Sequence, residues 1–348
     1  MLTLDYVIDQ FSKTKVKKMK PLIRELMRLS VYQIMYMDGV PDAAVCNEAV
    51  KLARKRGFSG LSGFVNGVLR SVARGWKDVT FQNESVRYSV PEWIIDGWNA
   101  DYGRDVTEKM LEAFMQPAKI TVRTNTQKCT PQELKDRLSQ EGVTVEAIEG
   151  ISYAFALSGF DYLAGLGSFQ DGWFYVQDLS SQICALALGA ASGETVLDLC
   201  AAPGGKTCTI AAGMEQTGCV HAFDLAEHRV KLIQDNVKRL GLRNVQAAQG
   251  DATRFQEAYA GADRVLCDVP CSGIGVLRHK PEVKEKSPEA LAELPALQLA
   301  ILENGARYVK AGGILQYSTC TILKEENEGV AEAFLQAHPE FEPVPVYP

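Results

Sequence analysis

A chain of 348 residues, 46% of them hydrophobic and 23% charged, is long enough for two or three domains with sizeable cores and too apolar to be disordered. It contains no apolar run of membrane-spanning length, and Met1 is not followed by a signal-peptide pattern, so a cytoplasmic protein without membrane attachment is expected. The net charge of −6 is unevenly spread: residues 1–80 hold 14 Lys or Arg against 7 Asp or Glu, which leaves −13 for the remainder.

Residues 1–80 read as all helix. Ile23, Leu26, Met27, Val31 and Ile34 fall on helical spacing, and residues 43–56 and 61–74 continue the pattern between short Gly-containing breaks. Lys13, Lys15, Lys17, Lys18 and Lys20 precede the first clear helix, and Arg24 and Arg28 add a turn-spaced pair on it. This basic end is a candidate handle for nucleic acid, because Lys and Arg release counterions from phosphates; a solvated helix face would have the same composition. Residues 81–170 read as a connector followed by a small α/β unit. Pro91 can open a helix packed by Trp93 and Trp98, Ile120–Arg123 alternates as a strand, and Thr130-Pro131-Gln132-Glu133 has the form of a capped helix start. Val143, Val145 and Ile148 supply a further strand.

Residues 171–348 alternate strand and helix. Strands are predicted at Thr195–Leu199, Cys219–Phe223, Val245–Ala248, Arg264–Cys267 and Ile314–Tyr317. A helix with Val230, Ile233, Val237 and Leu240 on one face stops at Gly241, and another near 290–310 ends at Gly312-Gly313. Such alternation implies an α/β fold with a parallel, doubly wound sheet, which binds ligands at its strand C-termini.

The chemistry-bearing residues all lie at those ends. Cys200-Ala201-Ala202-Pro203-Gly204-Gly205-Lys206 follows the first of the five strands, and its glycines let backbone approach a ligand. It is not a P-loop, because position 200 is Cys where that motif needs Gly, and GxGxxG is absent. Asp224, about 20 residues further on, is placed to hold ribose hydroxyls. With Asp251 and Asp268 in order at later strand ends, the set reads as a site for S-adenosylmethionine, which has no pyrophosphate to cradle. Two thiols accompany it, Cys271 in Asp268-Val269-Pro270-Cys271-Ser272-Gly273 and Cys320 in Tyr317-Ser318-Thr319-Cys320-Thr321. A deprotonated thiol attacking C6 of a cytosine, with a buried acid on the base's N3 edge, would make C5 nucleophilic enough to accept a methyl group. Cys46, Cys129, Cys184, Cys208 and Cys219 read as small buried hydrophobes, and with no CxxC pair and no His beside a Cys pair, no metal site is expected.

Cys200–Lys206, Asp268–Gly273 and Ser318–Cys320 resemble motifs of the RNA cytosine-C5 methyltransferases. The domain order resembles their bacterial branch known as RsmB, Sun or Fmu, in which a NusB-like helical domain precedes the catalytic one. Tyr32-Gln33-Ile34 and Val65-Asn66-Gly67-Val68-Leu69-Arg70 carry the likeness in the helical part. The resemblance implies three segments: a NusB-like RNA-binding domain over 1–80, connector helices with a small α/β subdomain over 81–170, and a Rossmann-like S-adenosylmethionine-dependent catalytic domain over 171–348. It implies that Cys320 is the nucleophile, that Cys271 helps to break the adduct, and that Asp268 contacts the cytosine and borders the cofactor. Cys200, Ala201, Ala202, Pro203, Gly204, Gly205 and Lys206 would surround the methionine part of the cofactor, Asp224 would bind the ribose, and Asp251 would lie by the adenine. Arg229 would neutralise a nearby acid or contact the cofactor. Arg278-His279-Lys280-Pro281-Glu282 resembles the family's substrate loop, with Glu where Asp is usual, and Val269 stands where Ala is usual.

The resemblance also implies that Met1 falls inside the helical domain, with additional helices before it, and a final strand pair beyond Pro348. The implied substrate is an RNA, small-subunit ribosomal RNA in this branch, acted on by a monomer; another RNA such as tRNA, or a non-catalytic RNA-binding protein, is the alternative reading. DNA enzymes of this chemistry use the Pro-Cys thiol and lack the Thr-Cys partner. Amino-group methyltransferases need an Asp/Asn-Pro-Pro-aromatic motif where this chain has Asp268-Val269-Pro270-Cys271.

Overall fold

The chain, described for residues 1–345 in a computed structural model, divides at Gln116 into two units. The first is all helix: α1 (Leu2–Phe11), α2 (Pro21–Tyr36), α3 (Asp42–Lys55), α4 (Ser62–Gly75), α5 (Glu84–Tyr88), α6 (Glu92–Tyr102) and α7 (Arg104–Met115). The apolar positions read from the sequence form its core, where Ile23, Met27 and Val31 of α2 meet Ala53 of α3 and Leu69 of α4. Trp98 of α6 is fully buried and stacks on Phe114 of α7. Helix α1, which lies ahead of the first helix picked out by spacing, adds Val7 and Ile8 to the core. Between α1 and α2, Val16 and Met19 turn inward while Lys13, Lys15, Lys17, Lys18 and Lys20 stay exposed. Arg24 and Arg28 differ from that cluster: Arg24 pairs with Glu25, and Arg28 grips both oxygens of Asp5 at 2.7 and 2.6 Å.

The second unit contains two sheets. The smaller is antiparallel, in the order β2 (Thr144–Ile148), β3 (Ile151–Ser158), β1 (Ile120–Thr124), β4 (Phe174–Val176), with α8 (Pro131–Gln140) packed on it. Helix α8 starts at the predicted capping box, in which the Thr130 hydroxyl accepts from the Glu133 N–H and the Glu133 carboxylate accepts from the Thr130 N–H. Strands β3 and β4 were not predicted. A short helix α9 (Gly167–Gln170) precedes β4, and α10 (Leu179–Ala187) leads into the larger sheet.

That sheet is parallel, in the order β7 (Val245–Gln249), β6 (Cys219–Asp224), β5 (Thr195–Asp198), β8 (Ala262–Asp268), β9 (Val309–Ser318). Helices α11 (Gly205–Gly213), α12 (Glu227–Leu240), α13 (Pro288–Leu291), α14 (Leu294–Ala306) and α15 (Glu328–Ala337) complete it. The doubly wound fold is therefore as expected. The strand order reverses between β5 and β8, which is where such sheets open a crevice at their C-terminal edge. One expectation is corrected: Gly312-Gly313 does not end a helix. Helix α14 stops at Ala306, and the glycines lie within β9 at a bulge, where Ala262 pairs with Val309 but Arg264 pairs with Ile314. A Cβ on Gly313 would stand 2.7 Å from the Asp263 carbonyl, so the bulge requires Gly there. No helix among the described residues is long and apolar enough to cross a membrane.

Candidate active site

The turn after β5 wraps back on the sheet edge. The Leu199 N–H donates to Leu266 O at 3.0 Å and the Ala201 N–H to Phe223 O at 2.7 Å, which fixes the loop between β8 and β6. Gly204 caps α11 with φ +100°, and a Cβ there would stand 3.3 Å from the Ile233 Cα of α12. Behind the turn, the Asp198 carboxyl is buried and accepts from the Thr207 hydroxyl at 2.6 Å. Burial pushes its pKa up to about 7, against the Thr207 bond. The same burial pushes the Cys200 thiol far up, which makes it an inert wall of the site.

Three carboxylates stand at successive strand ends. Asp224, at the end of β6, is 3% exposed; it accepts from the Ala202 and Ala226 N–H groups at 3.3 and 3.2 Å. Arg229 lies 3.4 Å from Asp224 and donates to Ala202 O, so it neutralises that acid and tethers the turn. Asp251 follows β7 and accepts from the Thr253 hydroxyl and N–H, which hold its carboxyl below the usual range. Asp268, at the end of β8, is half-buried: one oxygen meets the Lys206 ammonium at 2.7 Å and the other accepts from the Ser318 hydroxyl at 2.7 Å. A buried acid was expected; Asp268 is half-buried and paired with Lys206. Burial works against the Lys206 charge, but Asp268 outweighs it and holds the ammonium above its ordinary value.

The two thiols come together from loops 49 residues apart, after β8 and after β9. Their sulfurs are 3.0 Å apart, and the Cys320 N–H also points at Cys271 Sγ at 3.2 Å. Cys320 is exposed and Cys271 partly buried. The contact with Cys271 brings the Cys320 pKa down to about 7 although its neighbours partly desolvate the sulfur, and the same contact pushes Cys271 up. The contact thus favours ionisation at Cys320 over Cys271. Lys206 and Lys280 add to the stabilisation while Asp268 opposes it. The loop 278–282 is exposed, and its His279 lies 3.4 Å from Asp178, just ahead of α10.

Sequence reasoning missed the scaffold behind the thiols. Gly275 donates to Cys320 O at 3.1 Å, and a Cβ on Gly275 would crowd that carbonyl at 2.8 Å. The Ser272 and Thr321 hydroxyls bond at 2.7 Å, one residue beyond each cysteine. Glu326 is 1% exposed and accepts from the Ser272 N–H. A Glu in Lys324-Glu325-Glu326-Asn327-Glu328 reads as surface, and no spacing marks it otherwise.

Family models match in three parts: NusB over residues 1–74, the RsmF/B-like ferredoxin-like domain over 90–160, and 16S rRNA methyltransferase RsmB/F over 185–347. The probable ribosomal RNA small subunit methyltransferase B of Bacillus subtilis is 43% identical, over 98% of this chain and 78% of its own length. The protein of the same name in Synechocystis is 36% identical, over 99% and 79%. The crystal structure of PH0851 superposes with a TM-score of 0.85 at 30% identity, over 99% of this chain and 79% of its own. NSun6 from Pyrococcus horikoshii, solved with SFG, superposes at 0.66 over 71% of this chain and 87% of its own; at 22% identity it shows a shared fold.

Proposed function

Since the chain belongs to the RsmB family of ribosomal RNA small-subunit methyltransferases, which are S-adenosylmethionine-dependent, we propose that it methylates C5 of a cytosine in 16S ribosomal RNA. The observation that carries this reading is the pair of thiols Cys320 and Cys271, with sulfurs 3.0 Å apart, beside the Lys206–Asp268 ion pair. A methyltransferase acting on an amino or hydroxyl group needs no thiol.

The residues at the strand ends fit the methyl donor. The tethered turn Cys200–Lys206 offers backbone to its methionine part, the Asp224 carboxylate suits a ribose diol, and Asp251 lies at the next strand end for the adenine. When bound, S-adenosylmethionine supplies an electrophilic methyl group. The chain's own residues make the base reactive. Cys320 thiolate adds to C6, forming an S–C6 bond and placing the displaced electron pair on the C5 side of the ring. Asp268, oriented by Lys206 and Ser318, presents a carboxylate oxygen to the polar edge of the base. After methylation, a solvent water takes the proton from C5, the C5–H electron pair forms the C5=C6 bond, and the S–C6 pair returns to the Cys320 sulfur. Cys271 donates its S–H to the departing Cys320 thiolate, which restores the hydrogen bond of the resting pair. Such chemistry requires an unstacked base, and the exposed basic loop 278–282 is placed to receive flanking RNA.

Labelled methyl transfer to naked small-subunit ribosomal RNA, tRNA and duplex DNA, with bisulfite mapping, tests the reaction and the substrate together. Modification of one ribosomal cytosine is expected. Cys320→Ala is expected to abolish transfer while cofactor still binds, and Cys271→Ala to leave a denaturant-stable protein–RNA band. Turnover by Cys320→Ala would remove Cys320 as nucleophile.

A further inference from the structure

Glu326 is a carboxylate with no cation to balance it. Among the described residues it forms no ion pair, yet it is 1% exposed. One oxygen, Oε2, accepts twice: from the Ser272 N–H and from the Gln298 side-chain amide, both at 2.8 Å. The other, Oε1, is buried with no partner. The Gln298 amide also donates to Pro270 O at 3.0 Å. Pro270 and Ser272 flank Cys271. The peptide on each side of that thiol is therefore tied to Glu326, once directly and once through Gln298. The Glu326 carbonyl accepts from the Tyr317 hydroxyl at 2.6 Å, and Tyr317 lies in β9 three residues before Cys320. Glu326 thus joins the two cysteine loops from behind, on the buried side.

We infer that Glu326 is a positioning residue that holds the Cys271 thiol against Cys320, and that it acts as a hydrogen-bond acceptor rather than as a charge. The inference rests on the reading of the two thiols as one reactive pair. A reactive pair keeps its function only while its geometry stays within about 0.5 Å, and Cys271 reaches Cys320 from a loop after β8 that no regular element holds. The distribution of partners decides between acceptor and charge. Both donors converge on Oε2, and nothing meets Oε1. A Gln at this position can keep its carbonyl oxygen where Oε2 stands and place its amide nitrogen where Oε1 stands. A Met fills the same volume and accepts nothing, which strands the Ser272 N–H and the Gln298 amide.

The experiment uses the full chain as Glu326→Gln and Glu326→Met, with Cys271→Ala as reference. The first readout is the pH profile of Cys320 alkylation by iodoacetamide, located by mass spectrometry and made without RNA. The second is the denaturant-stable adduct with small-subunit ribosomal RNA. Melting temperature and cofactor affinity check that each variant is folded. Glu326→Met is expected to raise the alkylation midpoint by about one pH unit, toward the Cys271→Ala value, as the donor drifts from the sulfur. It is also expected to accumulate adduct. Glu326→Gln is expected to keep both readouts within about twofold of the parent, since its acceptor is retained. A folded Glu326→Met with the parent midpoint would overturn the positioning role. A Glu326→Gln as impaired as Glu326→Met would overturn the acceptor role in favour of charge. Should Glu326→Met fail to fold, Tyr317→Phe takes its place: it frees the Glu326 segment from β9, and the same shift supports the inference while an unshifted midpoint overturns it. If Cys271→Ala binds RNA but forms no adduct, the release role of Cys271 fails, and the RNA-free titration still decides the role of Glu326.

Discussion

The 3.0 Å contact between Cys320 and Cys271 biases which of the two sulfurs is the more acidic. Burial alone pushes a thiol up, as it does for Cys208 and Cys267 in the same unit. At Cys320 the bond from Cys271 outweighs burial and leaves a pKa of about 7. The thiolate fraction at Cys320 therefore grows as pH rises through 7. Removing the donor in Cys271→Ala is expected to move the midpoint of Cys320 alkylation toward the ~8.5 of an ordinary thiol. An unmoved midpoint would assign the thiolate to Lys280 and Lys206 instead. Asp198 titrates in the opposite sense to a paired acid. Burial raises its pKa to about 7, whereas an unfolded Asp lies near ~3.9. Between those values the folded chain keeps a proton that the unfolded chain has lost. The stability tied to that proton is complete at the acid end of the window and falls away as pH rises through 7. Asp198→Asn keeps the neutral form at every pH. It is expected to melt like the parent near pH 4 and to gain on the order of 1–3 kcal/mol over it at pH 8. Parallel melting curves from pH 4 to 8 would show that Asp198 is ionised in the fold.

At the scale of elements, the cofactor turn depends on how closely α12 backs it. Gly204 adopts φ +100°, and the room for its Cβ is taken by the Ile233 backbone. Gly204→Ala thus meets both a left-handed conformation, about 1–2 kcal/mol, and a close contact that only a shift of α12 can relieve. Calorimetry is expected to show at least tenfold weaker S-adenosylmethionine binding with the fold retained; undiminished affinity would show that the turn tolerates displacement. This turn was legible in the sequence because glycines, Asp224 and the strand before it announce themselves locally. The five-strand alternation was legible for the same reason, four of the five apolar runs ending in Gly or Asp. Strand β4 was not, since its three residues are too short to show a period, and β9 was misjudged because a Gly pair marks a bulge as readily as a break. The cysteines and Asp268 declared themselves by residue type at strand ends. Glu326 did not, because its partner is a backbone N–H 54 residues away, and no side-chain pattern records that.

For the whole molecule, charge is divided between what must bind a polyanion and what must do chemistry. Residues beyond 80 carry −13, and that excess repels RNA phosphates. The positive excess lies in residues 1–80, where not every cation is available. Arg24, Arg28 and Lys51 are engaged with Glu25, Asp5 and Glu48. Lys13, Lys15, Lys17, Lys18 and Lys20 are exposed and form no ion pair among the described residues; Lys15 reaches only the Asp9 carbonyl. These five are held in place by Val16 and Met19, which are buried, so the cluster is a surface with fixed footing. Each phosphate contact releases counterions worth about 0.7 in the slope of log affinity against log salt for single-stranded RNA. Replacing all five Lys by Gln is expected to weaken binding of small-subunit ribosomal RNA at every salt concentration and to flatten that slope by roughly two to three. Cofactor affinity and melting temperature are expected to stay as in the parent, because no core contact is removed. An unchanged slope would make the cluster a solvated face and move the burden of phosphate binding to the basic loop 278–282 beside the thiols.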